Sequence, residues 1–153
     1  MKRLLLLLLL IGATFLLQTG SRASSTPAVT FIPATKVSAA FQKGMPLVET
    51  TVYKVHASRR EEPGMAEVHV RDTDIVYVLD GTATLVTGGD VVDGKTIATD
   101  EIRGALIRGG DIQRLQKGDV FVVPNGVPHW FKEVQGPFLY YVVKATAPGG
   151  GTR

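Results

Sequence analysis

Two short segments hold the side chains best placed to do chemistry. One is Glu67-Val68-His69, with Asp74 shortly after it; the other is His129, near the end of the run Gly118–Phe131, GDVFVVPNGVPHWF. Two imidazoles and two carboxylates drawn to one point suit a divalent transition ion: Fe(II), Mn(II), Zn(II), Ni(II) or Co(II). A 2-His-1-carboxylate subset with open positions is the non-haem iron arrangement. If Glu67 is not a ligand, it is placed to act as a general base beside the metal.

These residues need rigid elements to hold them. Val120, Val122 and Val123 read as a buried strand, and Pro124-Asn125-Gly126 as a tight turn. His129 then opens the next strand, where its ring direction is well defined. Residues at i and i+2 on a strand share a face, about 6.6–6.8 Å apart, so Glu67 and His69 point the same way, with Met65 beside them. If Arg71-Asp72-Thr73 is a turn, Asp74 begins an antiparallel neighbour close to His69. The spacing to Gly81 favours Asp74 over Asp72 as the site carboxylate.

The rest of the chain reads as β structure with regular turn signals. Strands are expected over 50–57, 65–70, 74–79, 82–87 and 138–144, with a hairpin at Asp80-Gly81. Residues 36–43 read as a short helix ended by Gly44. Residues 59–64, RREEPG, read as a charged turn in which Arg59 and Arg60 are solvated rather than bound to a substrate carboxylate. His56 faces either solvent or the site. Phe131 shares the His129 side, Trp130 faces away, and the glycine-rich stretch 88–110 reads as an inserted hairpin or loop.

At these residues the sequence resembles the cupin family. The family's second motif, G-x5-P-x-G-x2-H-x3-N, is matched by Gly118, Pro124, Gly126 and His129, with Glu133 at the last position. Its first motif, G-x5-H-x-H-x(3,4)-E-x6-G, is matched by His69 and Gly81, with Glu67 replacing the first His and Asp74 the Glu. The resemblance implies an all-β, cupin-type jelly-roll β-barrel with a metal in its mouth. Its ligands would be Glu67, His69, Asp74 and His129. Two carboxylates would favour harder ions such as Mn(II) and Fe(II).

Composition bounds the remaining possibilities. Lys2-Arg3, the apolar run Leu4–Leu17 and Ser21-Arg22-Ala23 form a signal-peptide pattern over residues 1–23, too short an apolar run for the roughly 20 residues of a span. Residues 24–48 then form a lead-in, 49–146 the barrel domain and 147–153 a flexible tail. The chain has a net charge of +3, and the signal segment carries Lys2, Arg3 and Arg22 but no acid, so the remainder is neutral. Nucleic acid thus loses its electrostatic support as a partner. No cysteine is present for a disulfide, so stability must come from core burial. The expectation is a periplasmic or secreted protein, free of the membrane after cleavage, that binds a small molecule and pairs as a homodimer. Dioxygenase-like oxidation is the first functional expectation. A non-catalytic ligand-binding module and a metal-dependent isomerase or epimerase are the alternatives.

Overall fold

The computed structural model describes residues 28–148. The expected signal peptide over 1–23, the first residues of the lead-in and the tail from 149 onward lie outside the described residues. The chain divides into the units Met1–Thr30 and Phe31–Arg153. Of the first, only residues 28–30 are described, and they are exposed.

The second unit begins with helix α1 (Ala34–Lys43), two residues longer at its start than the sequence pattern suggests. Lys36 and Val37 donate their N–H groups to the Pro33 carbonyl, and Gly44 ends the helix in the left-handed region at φ 66°. Strand β1 (Met45–Glu49) pairs with β2 (Tyr53–Arg60), so sheet structure begins inside the stretch read as lead-in. Pro46 is tolerated there because β1 is an edge strand. β2 also runs on through Arg59 and Arg60, contrary to the charged-turn reading, because both residues pair with Leu139 and Phe138.

Strands β3 (Ala66–His69) and β4 (Asp72–Thr87) follow, but they are not ladder partners. β4 is flanked by β9 (Asp111–Leu115) and β10 (Val120–Val123) on one side and β11 (His129–Thr146) on the other. β3 instead pairs with β11 and β7 (Glu101–Gly104). Asp74 therefore reaches His69 from a strand that is not its ladder partner, rather than from a hairpin neighbour. Met65 precedes β3 and is exposed rather than sharing the inward face. β10 and β11 are likewise not paired with each other; the turn between them carries the chain across β4.

Asp80-Gly81 is not a hairpin either. β4 is continuous through it, and Gly81, at φ 80°, bends the strand where a Cβ would lie 2.7 Å from the Pro137 carbonyl. Opposite it, β11 shifts register between Gln135 and Tyr140, so the two longest strands bend together. This folds one nine-stranded sheet around a core of Val76, Val78, Leu85, Phe131, Phe138 and Tyr140, the jelly-roll architecture that the motifs imply. The 88–110 stretch is structured throughout. Its strands β5 (Asp90–Val92) and β8 (Leu106–Arg108) form a separate two-stranded sheet, while β6 (Lys95–Ala98) and β7 extend the main sheet from β3. No helix among the described residues is long and apolar enough to cross a membrane.

Candidate functional site

The period-2 rule decides which side chains face inward. On β4 the inward row is Asp74, Val76, Val78; on β11 it is Phe138, Tyr140, Val142 and then Lys144. Apolar residues fill the floor of a cavity of about 180 Å³, while its mouth collects the polar ends of these rows. Phe131 lines this cavity, and Trp130 faces away and donates its indole N–H to the Gly64 carbonyl, 2.7 Å.

Glu67, His69, Asp74 and His129 are all buried; Glu67, Asp74 and His129 line this mouth, and His69 lines the adjoining cleft with Glu67 and Lys144. Glu67 Oε2 lies 3.7 Å from His69 Nε2 and 3.9 Å from His129 Nε2. One donor atom from each of these three residues falls within 4.8 Å of the others. Asp74 falls outside this group of three, although its Oδ2 is 3.4 Å from His69 Nε2 and 4.0 Å from His129 Nε2. Asp72 turns away to Lys54 and the Thr146 hydroxyl.

Burying four such groups requires compensating partners, and most of these were not legible beforehand. Glu67 Oε1 accepts hydrogen bonds from Arg60 Nη2 at 3.0 Å and Arg103 Nη1 at 2.9 Å, leaving Oε2 turned towards the histidines. Arg60 is thus a site residue, not a solvated loop cation; its guanidinium lies 4.5 Å above the Phe131 ring and donates to the Tyr140 hydroxyl. Glu101 accepts from His69 Nδ1 and is held in turn by Arg103. Both come from β7, inside the stretch read as an insertion. Their i, i+2 spacing is a local signal of a shared strand face, but the pairing of β7 with β3 is a long-range fact. Lys144 continues the Phe138-Tyr140-Val142 alternation and lies 2.8 Å from His69 Nε2 and 2.7 Å from Asp74 Oδ1. His56 pairs with Glu49 at the rim.

The electrostatics separate the two histidines. Burial holds the His129 imidazole below its ordinary range, and so neutral. Its Nδ1 faces the Val127 carbonyl, so the Nε2 lone pair points at carboxylate oxygens that offer it no hydrogen. Burial also opposes charge on His69, but hydrogen bonds to Asp74 and Glu101 outweigh it and push the group up to about 9 against the pull of Lys144. A proton and the Lys144 ammonium cannot both occupy Nε2. With Nδ1–H donated to Glu101, Nε2 is the atom for which a proton drawn by Asp74 and the Lys144 ammonium compete. Burial would raise Asp74, but His69 and Lys144 hold its carboxyl below the ordinary carboxylate range. With Nε2 free of hydrogen on both histidines, these atoms and Glu67 Oε2 form a donor set suited to a divalent cation. The Glu101–His69 pair is the carboxylate–imidazole arrangement that orients a metal-binding histidine.

Comparison with known proteins agrees with the architecture. The family model described as Cupin matches residues 23–150. No curated protein matches the sequence. Among solved structures, a Bacillus halodurans protein is 12% identical, with 86% of this chain and 87% of that one covered and a TM-score of 0.53. The hydroquinone 1,2-dioxygenase of Sphingomonas sp. TTNP3, solved with 4-hydroxybenzoate bound, is 15% identical, with 83% and 84% covered and a TM-score of 0.53. An uncharacterised Klebsiella pneumoniae protein with a double-stranded β-helix domain is 19% identical, with 80% and 95% covered and a TM-score of 0.50.

Proposed function

The chain belongs to the cupin family, and from that premise we propose that it binds one divalent transition metal through Glu67, His69 and His129 and catalyses the O₂-dependent oxidation of a small organic molecule. The observation that carries this reading is the convergence of Glu67 Oε2, His69 Nε2 and His129 Nε2 in one buried mouth. Its fold is shared with a hydroquinone dioxygenase, which is support at the level of architecture only. Residues 1–23 act in this reading as an export signal, which places the protein in the periplasm or outside the cell.

When bound, Fe(II) supplies redox chemistry with O₂ that no side chain here possesses. The chain does the rest. Burial keeps His129 neutral and so able to coordinate. Arg60 and Arg103 fix the Glu67 carboxylate through Oε1 and leave Oε2 for the metal, or for a substrate proton when it is free. Phe121, Phe131 and Tyr140 line a cavity of about 180 Å³, room for about one ring-sized molecule. Burial pushes the Tyr140 phenol up, so it stays a neutral hydroxyl beside Arg60.

Metal analysis of the purified protein, followed by oxygen-electrode assays with small hydroxylated acids and phenols, tests the proposal. A stoichiometric Fe or Mn content with substrate-dependent O₂ uptake is the expected result. Turnover without O₂ would point to isomerase or epimerase chemistry. One observation favours a second reading, a non-catalytic ligand-binding cupin: the Lys144 ammonium already satisfies His69 and Asp74. A metal-free protein that co-purifies with a tight organic ligand would establish that reading instead.

Glu101 gives an independent check. Glu101→Ala leaves His69 with no carboxylate on Nδ1, and Mn(II) affinity should fall by about 10–100-fold. Isothermal titration at constant pH measures it; unchanged affinity would mean that His69 does not coordinate through Nε2.

A further inference from the structure

Lys144 is built into the site by strand register. It stands directly opposite Asp74 on β4, and its side chain is mostly buried. Its Nζ donates to both Asp74 oxygens, at 2.7 and 2.8 Å, and lies 2.8 Å from His69 Nε2. Those are the atoms a fourth carboxylate ligand and a coordinating imidazole would offer. The single lone pair on His69 Nε2 accepts from the ammonium or binds a metal, never both. Asp74 Oδ2 is also within 3.4 and 4.0 Å of the two imidazole Nε2 atoms, the distances of a fourth ligand, yet the same ammonium engages it.

We propose that Lys144 is a tethered cation that competes with the metal for His69 and keeps Asp74 out of the ligand set. Loading the site then requires the ammonium to withdraw from His69 while it retains Asp74, so the protein holds a three-residue set from a four-residue constellation. The inference rests on the metal-binding reading above. It adds that Lys144 sets both the affinity and the number of protein ligands. A dication and an ammonium within a few ångströms of each other in a half-dry mouth repel strongly enough to change affinity severalfold or more.

Calorimetric titration of Mn(II) into the wild-type chain, Lys144→Met and the double variant Lys144→Met/Asp74→Asn provides the test. Lys144→Met should bind Mn(II) on the order of tenfold or more tightly, because the competing charge is gone and Asp74 is released. The double variant should bind less tightly than Lys144→Met, because the share of the gain that runs through Asp74 is lost while the competing charge stays absent. Lys144→Gln carries the same expectation and serves if the methionine variant does not fold. Equal or weaker binding by the Lys144 variants, with wild-type binding intact, overturns the role of Lys144 and leaves the metal reading standing. No Mn(II) binding by wild type or variants overturns both. Binding by the variants but not by wild type supports the inference and removes the metal from the native protein.

Discussion

His129→Ala protein is expected to carry no stoichiometric transition metal where the wild-type chain carries one. His129 is the most buried of the four site residues, at 4% exposure, and the one whose Nε2 lacks a hydrogen-bonding partner in the site. Its removal deletes one of three donor atoms that lie within 4.8 Å of each other, and the nearest further donor, Asp74, is engaged by Lys144. The loss should exceed the roughly 10–100-fold typical of removing a group that only orients a ligand. Mass-spectrometric metal analysis and Mn(II) titration measure it, with any O₂ uptake lost in parallel. A circular dichroism spectrum like wild type would show that the effect is local. Metal content equal to wild type would sink the proposed ligand set.

Phe138→Ala should have the largest effect on stability, about 3–5 kcal/mol. Phe138 is fully buried, with ring centroids 5.7 Å from Phe131 and 5.2 Å from Tyr140. Its backbone also closes against Gly81 at the shared bend of β4 and β11. Truncation leaves a cavity where two long strands turn together, and neither can collapse into it without losing register. Against a typical total of about 5–15 kcal/mol, such a loss leaves the fold marginal. Urea unfolding measures it. Phe138→Leu should recover most of the stability, and a loss under about 1 kcal/mol would mean that the bend does not depend on this ring.

The all-β class was legible because alternation and turn residues are local signals, and the jelly-roll followed from the cupin resemblance. Gly118, Pro124, Gly126 and His129 mark one such turn, and Gly44 correctly ends the helix. The same locality misled at Asp80-Gly81, whose composition suits a hairpin equally well. Only the Pro137–Phe138 backbone on the facing strand shows that Gly81 bends a continuous strand there. Glu67, His69, Asp74 and His129 were found as a set, but the charges that make their burial tolerable were not. Arg103 and Glu101 depend on β7 docking on β3, and Arg60 on three further residues of β2 pairing beyond residue 57. Lys144 was visible as the polar end of an apolar row, a signal easily mistaken for the point where a strand reaches solvent.

The turn between β10 and β11 is fastened to the segment that follows His69. Gly126 donates its N–H to the His69 carbonyl at 2.8 Å, and Asn125 bonds to the Val70 carbonyl and the Thr73 hydroxyl. His69 and His129 are thus spaced by one main-chain bond and two side-chain-to-main-chain bonds, whatever lies between their rings. The chain entropy of closing that long loop is lost during folding, before an ion arrives. Ion capture therefore meets a preorganised pair of imidazoles and asks little further ordering of the backbone.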